Sequence, residues 1–248
     1  MAGQSGPLAK LATLGLLGPD TTYVHCNTLR DDELRRMADS GGSASVSPEV
    51  EMNMGHGMPA TGRLLEHGIR PSLSVDVVTG IGGDMFTVMR MCLAMERALV
   101  NQRALQAGTS VDRLSLTTRD VLEFATLEGA RACGLADRVG SLSPGKQADL
   151  ILVRTDGLNL TPLNNPVGAL VVATHPGDVD SVFVAGRALK RHGRLLYPDL
   201  AGLRTRAVAS RDFLLARAGL QPGLDWTLPF ESRWKQSHLA AVPEPRPD

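Results

Sequence analysis

The sequence predicts an α/β protein whose first half alternates short parallel strands with covering helices and whose second half turns to antiparallel β-structure. Two observations carry this expectation. Up to about residue 106, three short β-rich apolar segments alternate with segments of helical period, joined by short loops, which is the grammar of βαβ units. From Val139 onward, β-branched runs flank tight Gly turns instead, the chemistry of hairpins.

The elements follow in order. "GPLAKLATLGLLGPDTTYVHCNTL" gives a helix over about 6–16, a Gly-Pro-Asp turn, and a strand ending near His25. "RDDELRRMADSGG" is a helix that Asp31 or Asp32 can cap, with acids in its first turn and a stop at Gly41-Gly42. "SASVSPEV" is a strand broken by Pro48, and "EMNMGHGMPATGRLLEHGIR" is a Gly-rich loop running into a helix that ends at Gly68. "PSLSVDVV" is the third strand, and "DMFTVMRMCLAMERALVNQRAL" a long helix. That helix is apolar on most of its circumference, so it is expected to be buried on more than one side. Its Met residues read as core packing rather than thioether ligands.

"LTTRDVLEFATLEGARACGLADRVG" is a helix with a Thr start and a stop at Gly134. "VGSLSPGKQADLILV" then leads through a Gly-Lys turn into a strand, and "DVDSVFVAGRALKRHGRLL" gives two strands about an Ala185-Gly186 corner. A helix over about 201–218 and a Pro-rich end complete the chain. The expected division is 1–138, 139–196 and 197–248.

Composition narrows the function. Lys+Arg and Asp+Glu both total 26, so no global field draws nucleic acid or an anionic membrane. Aromatics are 4%, too few for base-stacking platforms. The three cysteines, Cys26, Cys92 and Cys133, are far apart and form no CxxC pair. They fit reduced thiols in the cytoplasm rather than a disulfide framework. No apolar run reaches the ~18 residues of a membrane span, and the N-terminus reads as helix rather than signal peptide.

Asp76 ends an apolar run and is followed by Thr, Gly residues and a helix, a layout shared by site carboxylates and by ordinary strand ends. Four features line up around it: "TTYVHCNTL", "SVSPEVEMNMGHGMPATGRLLEHGIRPSLSVD", "VLEFATLEGARACGLADRVGSLSPGKQADLILV", and the β-rich close. Together, over roughly residues 6–196, they resemble the C-terminal part of metal-dependent amidohydrolases, in particular the cytosine deaminase, triazine hydrolase and thiomethyladenosine deaminase branch. The resemblance implies a partial TIM (β/α)₈ barrel, its strands 6–8 being the three strands here, followed by a small β-sandwich segment and a helical tail. Sites in such barrels lie at the C-terminal strand ends.

By that resemblance His25 is the histidine that polarises the bond being hydrolysed. Asp76 is the metal ligand and general base, and Glu51 and His56 sit near the substrate in the Gly-rich loop. The implied reaction is hydrolysis of a non-peptide C–N bond, as in deamination of an amino-heterocycle or cyclic amide. The implied cofactor is a divalent metal, Zn or Fe, which lowers the pKa of its water toward ~7.

The front of the family pattern is absent. No His-x-His pair occurs in the 248 residues, nor the strand-5 histidine, whereas catalytic zinc takes three protein ligands. The missing ligands are therefore expected upstream of Met1, and the chain alone is expected to be inactive. Three parallel strands cannot close a barrel, so a homodimer or a partner supplying the missing half is expected to cover their edges. Two other functions stay open: a non-catalytic subunit or fragment of a longer amidohydrolase, and a nucleotide-binding α/β module built on "VDVVTGIGGDM". Of the other candidates, His67 reads as a helix C-cap, Lys146 as a turn lysine, and His175, His192 and His238 as surface groups.

Overall fold

The computed structural model of the chain describes residues 6–220; the Pro-rich end and His238 lie outside the described residues. The first elements are α1 (Pro7–Thr13), β1 (Thr22–Val24), α2 (Asp31–Ser40), β2 (Ser43–Val46), α3 (Pro48–Asn53), α4 (Thr61–Glu66) and β3 (Ser72–Leu73). The strands form one parallel sheet in the order β1-β2-β3. Tyr23 pairs with Ala44 in the first register and Val46 with Leu73 in the second.

β2 is central, and its Ala44 and Val46 are fully buried. The amphipathic α2 covers the sheet with Leu34 and Met37, also fully buried. α2 stops where expected: Gly41 takes the left-handed conformation at φ 72, open to Gly without steric cost.

Four local expectations change. The N-cap of α2 is Arg30, not Asp31 or Asp32; its N–H donates to the Glu33 carboxylate at 3.2 Å. Pro48 does not merely break β2 but opens α3 as its first helical residue, where the missing N–H costs nothing. This lifts Glu51 out of the predicted loop and into a helix. β3 is only two residues long, so the chain has left the sheet before Asp76. A further helix, Pro166–Val172, lies in a stretch for which no element was expected.

α5 (Met85–Gln106) is the long helix, capped by Asp84, whose side chain accepts from the N–H of Thr87 at 2.9 Å. It packs on α3, α4 and β3, and its buried side is Phe86, Val88, Met89, Cys92, Leu93 and Glu96. Burial on several sides is thus seen in its first half, while its last turns are largely exposed.

The predicted Thr-to-Gly helix is present as α6 (Thr118–Glu123), a π-helical turn at Phe124–Glu128, and α7 (Gly129–Ala132). Thr117 caps it reciprocally with Asp120, and Gly134 ends it at φ 67. Arg70 ties this run to β3. It pairs with Asp120, Glu123 and Glu128 at 3.2, 2.8 and 3.4 Å, and its guanidinium lies over the Phe124 ring at 5.0 Å.

The remaining elements are β4 (Leu150–Val153), α8 (Pro166–Val172), β5 (Val179–Val184), β6 (Arg187–Arg191) and β7 (Arg194–Leu195). The strands form one antiparallel sheet in the order β4-β5-β6-β7. Ala185 and Gly186 make the predicted corner, at φ 48 and 78. α8 is capped by Asn165, whose side chain accepts from the N–H of Gly168, with Pro166 at the first helical position. Lys146 donates to the carbonyls of Ala136 and Val139, a turn lysine as expected, and His67 sits at the C-cap of α4.

The chain divides into two compact units, one ending at Leu196 and the other beginning at Tyr197. The second contains α9 (Leu200–Ala218), capped by Asp199 and ended by Gly219 at φ 67. No helix among the described residues is long and apolar enough to cross a membrane.

Candidate active site

Parallel strands deliver their C-terminal ends to one edge of a sheet, and the residues that follow them share that edge. His25 follows β1 directly. Its N–H donates to the carbonyl of Ser45 at 2.9 Å, as if to extend the ladder, but its own φ of 69 turns the chain out of the sheet. Asp76 follows β3 and is turned in the same way, at φ 61, with its N–H donating to Ser74 Oγ at 2.9 Å. Between them, β2 runs through Ser47 into α3 and so to Glu51. Left-handed backbone at a residue other than Gly is uncommon and gathers at functional sites.

The four residues that the sequence singles out converge. His25 Nδ1 lies 3.2 Å from Glu51 Oε1, and His25 Nε2 lies 3.9 Å from Asp76 Oδ2. The rings of His25 and His56 meet edge to face, with centroids 5.2 Å apart. The imidazole of His25 and the carboxylate of Asp76 are each about one-third exposed, at 31% and 33%, while Glu51 is fully enclosed at 0%. A group open to solvent can meet a small molecule, whereas Glu51 cannot. It therefore stands behind His25 rather than beside a ligand, a change from its expected place in a solvated loop.

Two residues that sequence reasoning passed over complete the setting of Glu51. The N–H of Ser47 donates to Oε1 at 2.8 Å, and Asn27 Nδ2 donates to Oε2 at 3.2 Å and to the carbonyl of Met58 at 2.9 Å. The available signal was Ser-Pro at 47–48, a helix-start pair. It places the acid of "SPEVE" one turn inside a helix, close enough to reach back.

Burial pushes the Cys26 thiol up to about 12, the charge of Glu51 adding to the effect. Burial does the same to Cys92, also to about 12, against an opposing hydrogen bond from Thr61. Neither thiol is a thiolate at neutral pH, so neither is a nucleophile or a soft ligand.

Among the described residues, the metal-type donors gathered here number fewer than three. His25 Nε2 and the Asp76 carboxylate are two donors, and among the described residues no group of three or more His, Cys, Asp or Glu is arranged to hold a metal ion. A catalytic zinc takes three protein ligands. Nor is the start of α5 free for a phosphate, because the Asp84 carboxylate accepts from both the N–H and the hydroxyl of Thr87. A negative group already fills the position an anion would take.

Comparison with known proteins bears on this geometry. The family described as "Amidohydrolase family" matches residues 2–189. A 5'-deoxyadenosine deaminase from Methanothermobacter thermautotrophicus is 33% identical over 190 residues, which cover 76% of this chain and 42% of that protein. A 5-methylthioadenosine/S-adenosylhomocysteine deaminase from Syntrophobacter fumaroxidans is 32% identical over 191 residues, covering 77% and 41%. The chain thus spans less than half the length of the curated relatives it matches.

Among solved structures, an adenosine deaminase from Xanthomonas campestris with bound zinc superposes with a TM-score of 0.77 at 30% identity, over 87% of this chain and 47% of that one. An atrazine chlorohydrolase from Arthrobacter aurescens complexed with zinc shares the fold, with a TM-score of 0.69 at 22% identity over 80% and 42%.

Proposed function

The chain belongs to the amidohydrolase family, and from that premise we propose that it forms the substrate-polarising and proton-handling part of a deaminase site for an adenosine-like nucleoside. One observation carries the proposal: two side chains open to solvent, His25 and Asp76, face each other at 3.9 Å from the ends of separate parallel strands. An imidazole nitrogen and a carboxylate at that separation can act on the same carbon of one small molecule. As an imidazolium, His25 donates from Nε2 and polarises the C–N bond, and Asp76 accepts the proton of the attacking water and returns it to the leaving amine. His56 borders the same opening. The relatives named as deaminases of 5'-deoxyadenosine and of methylthioadenosine support the substrate class.

In this reading the three parallel strands are the strand 6–8 portion of a (β/α)₈ barrel, in residues 1–138. The antiparallel sheet of 139–196 is the family's small β-segment, and α9 (Leu200–Ala218) belongs to the segment from 197 onward. The divalent metal of such sites, zinc or iron, needs donors beyond His25 and Asp76, and these come from outside the described residues. A second copy of the chain or a partner barrel half is the natural source.

The test is complementation. The purified chain alone is expected to hold no stoichiometric zinc and to release no ammonia from 5'-deoxyadenosine or methylthioadenosine. Combined with the amino-terminal barrel segment of the Xanthomonas deaminase, it is expected to hold zinc and turn over, and Asp76→Asn or His25→Asn in this chain abolishes turnover. Turnover that ignores both substitutions refutes the assigned roles. Zinc and turnover in the chain alone refute the incomplete shell.

A further inference from the structure

Glu51 is a fully buried carboxylate that no substrate can reach, yet it is the residue most closely joined to His25. We infer that Glu51 is a positioning residue that holds His25 as its Nδ1–H tautomer, so that Nε2 is the nitrogen presented to a ligand. The inference rests on the assignment of His25 to the site, but its content is a property of the ring itself.

Each partner of Glu51 is a donor or, for His25, is made one. Oε1 accepts from the N–H of Ser47 at 2.8 Å and Oε2 accepts from Asn27 Nδ2 at 3.2 Å. Neither donor can reverse its role, because a backbone N–H and an amide NH₂ only donate. Asn27 is fixed in this orientation, since Nδ2 also donates to the carbonyl of Met58 at 2.9 Å. The remaining contact, His25 Nδ1 at 3.2 Å from Oε1, is favourable only with the proton on Nδ1. A carboxylate is an acceptor at both oxygens, and a bare Nδ1 lone pair would face it across a buried contact. A hydrogen bond at one ring nitrogen selects what the other can do.

With Nδ1–H committed to Glu51, the nitrogen of His25 left to face a ligand is Nε2, 3.9 Å from Asp76 Oδ2. That gap is too long for a hydrogen bond. The carboxylate is also rigidly mounted. Glu51 sits in the first turns of α3, which starts at Pro48 directly after β2, and β2 is hydrogen-bonded to β1 along its length. Asn27 is two residues beyond His25, so the ring and its holder are stapled from both strands.

The test is long-range ¹H–¹⁵N NMR of the imidazole in the 248-residue chain, at a pH where His25 is neutral, with His25 assigned by the spectrum of His25→Asn. The wild type is expected to show a protonated Nδ1 and an unprotonated Nε2. Glu51→Gln and Glu51→Asp, checked for folding by their backbone amide spectra, are expected to shift the tautomer ratio toward Nε2–H. The shift should be about tenfold, the effect of losing one hydrogen bond to a charged acceptor. The second variant keeps the charge and withdraws it, so it decides the matter if the first does not fold.

A wild-type ring protonated at Nε2 overturns the inference, as does an unchanged ratio in a folded variant. Neither result touches the complementation test above. Conversely, a failure to deaminate leaves the tautomer measurement standing.

Discussion

Nε2 of His25 and Oδ2 of Asp76 lie 3.9 Å apart at the ends of β1 and β3, two strands that do not pair with each other, and both residues hold left-handed backbone at φ 69 and 61. Convergence and strain occur at the same two positions. For residues other than Gly this conformation costs roughly 1–2 kcal/mol, and it persists where geometry is set by something other than stability.

Asp76 therefore separates two substitutions. Gly relieves the strain, while Ala keeps it and removes the side chain. Asp76→Gly is expected to be more stable than Asp76→Ala by about 1 kcal/mol, roughly 2–4 °C in melting temperature for a chain of this size. Scanning calorimetry of the two variants checks this, and equal melting temperatures would count against a strained Asp76.

Arg70 is the second target. Burial pushes the Asp120 carboxyl up, but hydrogen bonds from Thr117 and Arg70 outweigh it and hold the group below the usual carboxylate range. A carboxyl held lower when folded stabilises the fold above its unfolded value, near ~3.9, and loses that contribution as pH falls through the folded value. Arg70→Met removes the partner of Asp120, Glu123 and the buried Glu128, leaving Glu128 with Arg131. The expected loss at pH 7 is about 1–3 kcal/mol, less than for a fully buried pair because Arg70 is partly solvated. Urea titrations should show the gap between the two proteins narrowing below about pH 4; a gap that ignores pH would refute the electrostatic account.

Glu96 should behave in the opposite sense. Burial pushes its carboxyl up, against the pull of Arg103 and the Gly62 N–H. A carboxyl held higher when folded binds its proton more tightly there, so stability is fullest below the unfolded value of ~4.3 and is lost as pH rises through the folded value. Glu96→Gln cannot lose a proton and is expected to gain on the wild type as pH rises from 4 to 7. Parallel denaturation curves across that range would contradict the assignment.

The end of β1 was legible in the sequence because it is local, whereas the run expected to continue through Asp76 leaves the sheet after Leu73. Short apolar runs stop at turn residues, so His25 and Asp76 could be placed before any packing was known. The seat of Glu51 was not legible, because Pro48 after a strand reads as a breaker and an acid beside glycines reads as solvated. Only the tertiary closeness of β1 and β2 turns that acid inward. Arg70 shows the same limit: its three carboxylate partners lie some fifty residues away in sequence, and nothing in a local window announces them. α8 was hidden differently, since Asn165-Pro166 is a helix start set in a stretch otherwise rich in turn formers.

The seating of His25 against a carboxylate carried by the helix that follows the neighbouring strand bears on how such a site can be moved between scaffolds. Grafting the loop after β1 into another α/β scaffold would transfer the imidazole without what aims it. The transplantable unit is the whole run from Thr22 to Asn53, two strands with their helices, because donor, acceptor and backbone frame are divided between them. For the same reason, variation at position 51 should be tied to variation at positions 25 and 27, and a library that randomises one loop at a time would miss the combinations that keep the ring in place.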